Sequence, residues 1–70
     1  MSDHVFRKIE MTGTSTKSQD EAIQNAIAKA AKSVRNMRWF EVVESRGSII
    51  NGAVAQWQVT IKIGYAISEQ

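Results

Sequence analysis

From Gln56 to Ile67 the chain alternates strictly between two kinds of side chain. Trp57, Val59, Ile61, Ile63, Tyr65 and Ile67 share one parity; Gln56, Gln58, Thr60, Lys62, Gly64 and Ala66 share the other. Successive strand residues point to opposite sheet faces, so this pattern predicts a strand over about 53–67 with the first set on the core. Trp57 belongs to that set and reads as structural. Just upstream, Asn51-Gly52 separates two strand-like runs, and both residues tolerate the positive φ of a tight hairpin turn. The run before it, about 38–49, is rich in aromatic and β-branched residues and predicts a second strand. Its alternate sets are Trp39, Glu41, Val43, Ser45 and Phe40, Val42, Glu44, Arg46, and neither is cleanly apolar. Trp39 sits in the first turn of that strand, a poor place for the largest apolar side chain if it only fills a core. The strand is expected to present Trp39 to something outside its own subunit.

The N-terminal part alternates more loosely. Val5, Ile9 and Met11 oppose Phe6, Lys8 and Glu10, with Arg7 intruding, which predicts a strand over about 4–12. Thr12-Gly13-Thr14-Ser15-Thr16-Lys17 breaks the pattern. It lacks the glycine spacing and the Lys-Ser/Thr ending of a phosphate-binding loop, so it reads as a connection. Ser18-Gln19-Asp20-Glu21 is a capping box, with Asp20 and Glu21 on the positive end of a helix dipole. Behind it Ala22, Ile23, Ala26, Ile27, Ala30, Val34 and Met37 recur at three- and four-residue spacing, which predicts a helix over about 19–36. Its stripe is mostly small, so a sheet can approach the axis closely and is expected to curve around it. The stripe lacks the bulky aromatics of a membrane-surface helix. Ser68-Glu69-Gln70 reads as a frayed tail.

The predicted order is β-α-β-β, an α+β subunit in which a three-stranded antiparallel sheet covers one long helix on one side only. The other sheet face carries too few charges for plain solvent surface. Seventy residues rarely supply more than about 3–5 kcal/mol from a single core, so small domains are stapled by disulfides, metals or oligomerisation. The chain has no cysteine and one histidine, His4, which removes disulfides and thiolate zinc sites. Oligomerisation is the remaining staple, and 43% hydrophobic residues in so short a chain suit it. Nine basic and seven acidic residues leave a net charge of +2 with no basic stripe, so nucleic acid is not an expected partner. No long apolar run or signal-type segment is present, so no membrane partner is expected and the default location is cytoplasmic.

Four blocks taken together carry a resemblance: Val5–Ser15 (VFRKIEMTGTS), the Ala-rich helix, Arg38–Gly47 (RWFEVVESRG) and Trp57–Tyr65 (WQVTIKIGY). In this order and spacing, over nearly the whole chain, they resemble the dodecins. The resemblance implies a hollow homododecamer of cubic symmetry that binds flavins, FMN or riboflavin, without catalysing a reaction. It implies that Trp39 stacks on the isoalloxazine ring, with two flavins held between two tryptophans at a two-fold subunit interface. Gln58 is implied to hydrogen-bond the polar edge of the ring. Glu44 and Arg46 are candidates for the ribityl chain or a phosphate, and equally for cross-strand ion pairs. Some bacterial relatives carry an arginine near the end of the last strand that helps with phosphate. Here that position is Ala66, which leaves the choice between FMN and riboflavin open. Some relatives also bind coenzyme A, which makes it a further candidate partner beside free flavins and other copies of the chain.

Three functions compete on this reading. The first is flavin binding, storage and buffering with quenching of flavin photochemistry. The second is a structural or ion-binding shell without flavin, and the third a flavin-dependent redox enzyme. The enzyme is disfavoured because no acid-base set is recognisable: His4 lies near the N-terminus and there is no cysteine. The bare shell is disfavoured because Trp39 and Gln58 are both kept.

Overall fold

The computed structural model describes residues 3–67; the predicted tail at 68–70 lies outside them. Four elements follow one another: β1 (Phe6–Ser15), α1 (Gln19–Ala30), β2 (Met37–Ile50) and β3 (Ala53–Ala66). The sheet is three-stranded and antiparallel with the order β1-β3-β2, so the last strand occupies the centre. This central place explains why β3 alternates so cleanly. Its odd residues Val59, Ile61 and Ile63 are almost fully buried under the helix.

The helix packs on β1 and β3 through Ala22, Ala26 and Ala30, all buried, with Ile23 and Ile27 half-buried at its margins. Its small residues allow close contact, and the strand answers with Gly13. A Cβ on Gly13 would overlap the Ala22 carbonyl oxygen and lie 2.9 Å from the Ala26 Cβ. The glycine that reads as a chain break is therefore a packing device. That corrects the first strand boundary: β1 runs on to Ser15 instead of stopping near Thr12.

Ser18 caps the helix, its hydroxyl accepting from the Glu21 N–H at 3.0 Å. The other half of the capping box is routed through Ser15. Its buried hydroxyl accepts from the N–H groups of Lys17 (2.9 Å) and Ser18 (3.3 Å) and donates to Glu21 Oε1 (3.2 Å). At the other end the helix is shorter than its periodicity suggests. It closes at Ala30, and tight turns carry the chain over 31–33 to Asn36, whose φ of 64° redirects it into β2. Val34 and Met37 continue the apolar spacing from non-helical backbone, which is why the sequence pattern overshoots. The β2–β3 hairpin turns at Asn51 (φ 53°) and Gly52 (φ 78°), as the Asn-Gly pair predicts.

The core is narrow. Fully burying a Val or Ile side chain contributes about 1.5–3 kcal/mol, and among the described residues only Val59, Ile61 and Ile63 of the large side chains reach that state. The helix does not cover β2. Phe40 and Val42 share the helix-side face with Ile63 and Ile61 through their register, yet they are 45% and 50% exposed. Ile49 and Val54, paired near the hairpin tip, are exposed on the same face.

Candidate functional site

The sheet face away from the helix is a ladder of cross-strand rungs. At one end Phe6 pairs with Ala66. The next rung is Lys8, Gly64 and Trp39; then come Glu10, Lys62 and Glu41; then Thr12, Thr60 and Glu44; then Thr14, Gln58 and Arg46. All four predicted site residues therefore share one face. Strict alternation would have split them, with Trp39 on one side of β2 and Glu44 and Arg46 on the other. A bulge between Val42 and Glu44 inserts one extra residue and re-phases the strand. The bulge also explains why neither alternate set of β2 is cleanly apolar.

Trp39 lies across Gly64. A Cβ added to Gly64 would run into the six-membered part of the indole, so the central strand gives up a side chain to seat the ring. Phe6 meets the indole edge-on, with ring centroids 5.2 Å apart and planes at 70°. Beside it the Lys8 ammonium reaches both carboxylate oxygens of Glu41, at 3.2 and 3.3 Å. Both partners are half exposed, so this pair contributes at most about 1 kcal/mol and mainly orders the rim. The indole is still 39% exposed, wedged from the side and propped from beneath. Gly64, Phe6, Lys8 and Glu41 were not predicted as site residues. A glycine inside a regular strand was the legible signal, since it marks a close approach.

At the far end Gln58 is half-buried and donates from Nε2 to Gln56 Oε1 at 2.9 Å. Its own carbonyl oxygen remains an acceptor. Arg46 stands opposite it in register, and Glu44 opposite Thr60, whose hydroxyl lies 2.7 Å from that of Thr12. Neither Glu44 nor Arg46 forms an ion pair among the described residues, so the cross-strand pairs considered from sequence are not made. Among the described residues no three His, Asp or Glu side chains gather as metal ligands. No described helix is long and apolar enough to cross a membrane.

The structure brings Gln58 to Arg46 and does not bring either to Trp39. Gly64 and Gln58 are separated by six residues of β3, roughly 20 Å at about 3.3 Å per residue. One flat ring resting on Trp39 cannot also reach Gln58 of the same chain.

A single helix on a β1-β3-β2 sheet, with a propped and exposed tryptophan on the open face, defines a small α+β subunit suited to a flat aromatic ligand. The comparisons give that class a family. The dodecin family model matches residues 5–68. The chain is 42% identical to a dodecin of Thermus thermophilus over 65 residues, 93% of this chain and 94% of the relative. Among solved structures, dodecin from Streptomyces coelicolor superposes with a TM-score of 0.91 at 43% identity, covering 100% of both chains. Dodecin from Streptomyces davaonensis does so with a TM-score of 0.90 at 44% identity, covering 97% of this chain and 100% of that one. The chain belongs to the dodecin family, whose members are known as flavin-binding proteins.

Proposed function

We propose that this chain binds FMN or riboflavin without catalysing a reaction, storing and buffering the flavin and quenching its photochemistry in a homododecameric shell. The observation that carries the reading is the exposed indole of Trp39, seated on Gly64 and braced by Phe6. Fixing the ring in advance removes the ordering cost that a mobile side chain would add on binding. The residues present fit a flavin: a broad aromatic plate, an amide with donor and acceptor, and polar groups at Arg46 and Glu44 for a ribityl chain.

The separation of Trp39 from Gln58 supports a site shared between two copies. Two copies related by a two-fold axis would hold the flavins stacked between their two Trp39 rings, with the Gln58 amide at the ring edge supplied by the partner copy. An isologous contact of this kind makes two equal sites, each with a tryptophan from one copy and a glutamine from its partner. Gln58→Ala then removes one or two hydrogen bonds, each with a net value of about 0.5–1.5 kcal/mol. Flavin affinity measured by fluorescence titration is expected to fall about tenfold with the assembly intact. A mutant that loses its assembly instead assigns Gln58 to the subunit contact.

A bound flavin would supply an excited state that is a strong one-electron oxidant. Trp39 is electron-rich and in stacking contact it donates an electron and takes it back, so no net chemistry remains. Bound flavin is accordingly expected to be nearly non-fluorescent. Trp39→Phe keeps a stacking ring with a much poorer donor, and is expected to retain part of the binding with a longer excited-state lifetime. Time-resolved fluorescence checks both. A wild-type lifetime near that of free flavin overturns the quenching role and leaves storage.

A further inference from the structure

The amide of Gln58 has two ways to face a ligand. Turned one way it presents a carbonyl oxygen, turned the other way an NH2 group. The structure holds one of the two: Nε2 donates to Gln56 Oε1 at 2.9 Å, between two half-buried side chains. Gln56 and Gln58 are two residues apart on β3, so both project from the open face of the sheet.

The neighbours favour this direction over its reverse. Arg46 of β2 stands opposite Gln58 in register, and a guanidinium carries donors only. An amide NH2 turned toward it sets donor against donor, whereas a carbonyl oxygen on that side is stabilised. That oxygen has two lone pairs, so one remains for a ligand. Thr14 on the other side of Gln58 and Ser48 opposite Gln56 carry hydroxyls, which serve either direction. Reversing the bond requires both amides to turn together and leaves the Gln58 NH2 beside the arginine.

We propose that Gln56 is a positioning residue that sets the hydrogen-bond polarity of Gln58, making the site specific for flavins with a free N3–H. The polar edge of an isoalloxazine reads C=O, N–H, C=O, so its one donor is the N3–H. A fixed Gln58 carbonyl oxygen accepts from that group, and the second Nε2–H is left for a flanking C=O. A site built to bind an N–H rejects an analogue that lacks it, because the acceptor is left unpaired. Gln56 acts through Gln58, holding an amide that would otherwise turn to suit either ligand. This role rests on Gln58 lying at the ring edge, as proposed above.

Calorimetric titration of the assembled, flavin-free protein with riboflavin and with N3-methylriboflavin reads the polarity as the ratio of the two dissociation constants. Riboflavin is uncharged, so charge introduced at position 56 acts on it weakly. The parent chain is expected to bind the N3-methyl analogue at least about tenfold more weakly than riboflavin. Gln56→Glu keeps an acceptor at this position and is expected to retain that ratio. Gln56→Lys offers only donors, which turns the Gln58 carbonyl toward the lysine and the NH2 toward the ligand. Its ratio is expected to fall to about threefold or less. A merely structural Gln56 would shift both ligands together and leave the ratio unchanged. A parent ratio near one, a ratio retained in Gln56→Lys, equal loss in both variants, or disassembly of both in light scattering overturns the role. Gln58→Ala separates the two readings. Unchanged riboflavin affinity in that variant overturns the ring-edge position itself; weakened affinity, with the parent ratio kept in both Gln56 variants, overturns the positioning role alone.

Discussion

Trp39→Ala is expected to lower riboflavin affinity by about a hundredfold and to leave the chain folded. Stacking of a planar base on an aromatic side chain is worth about 1–3 kcal/mol by alanine substitution. The tricyclic ring of a flavin covers more of an indole than a single base does, which puts the loss at the upper end. The fold should survive because the indole contributes little to the core. It is 39% exposed, stands on the face away from the helix, and touches Phe6 edge-on over a glycine. Fluorescence titration measures the affinity, and circular dichroism with light scattering measures the fold and assembly. Unchanged affinity would remove Trp39 from the site and turn attention to Trp57, the other indole.

Val42→Asp is expected to have its effect on assembly. In a lone chain the position is half exposed, and a carboxylate there would be solvated at small cost. On the same face Phe40 lies beside it, and Ile49 and Val54 stand toward the hairpin tip beyond Ser45 and Gly47, at 45% to 72% exposure. The hairpin extends this face along a chain measuring 56 × 20 × 13 Å, well beyond what one short helix can shield. Exposed apolar surface of this kind marks a protein–protein contact. If other copies cover it, an aspartate is buried without a partner and costs several kcal/mol at every repeat of the contact. Sedimentation analysis should then show small or unfolded species where the parent chain is expected to form one large closed oligomer. A Val42→Asp protein that assembles like the parent would place this face in solvent.

The architecture was legible wherever one local interaction dominates. In β3 both neighbours are strands and the helix lies above, so every second residue is buried and the alternation is clean. The Asn51-Gly52 turn depends on the φ values of two residues, and the helix start on the Ser18 hydroxyl meeting the Glu21 N–H. These are short-range effects, and residue type alone decides them. The helix end was not legible in the same way. Met37 keeps the helical spacing because it packs against the same core, although the backbone that carries it is no longer helical, and Val34 keeps it without joining that core.

The residue types of the candidate site are likewise read from the sequence: Trp39, Gln58, Glu44 and Arg46 stand out by chemistry and resemblance. Their common face was decided by tertiary structure. An extra residue at the β2 bulge is accommodated only against the register of β3, and no local propensity of Val42-Val43-Glu44 announces it. Pairing with the central strand thus turned a mixed pattern into one face bearing Trp39, Glu44 and Arg46. Gly13 and Gly64 make the same point from the other direction. In the sequence each is a gap, at Gly13 a break and at Gly64 a weak strand position. Their meaning lies in what fills the missing side chain's volume: the Ala22 carbonyl at one, the Trp39 indole at the other. Those atoms belong to elements distant in the chain, and only folding brings them there.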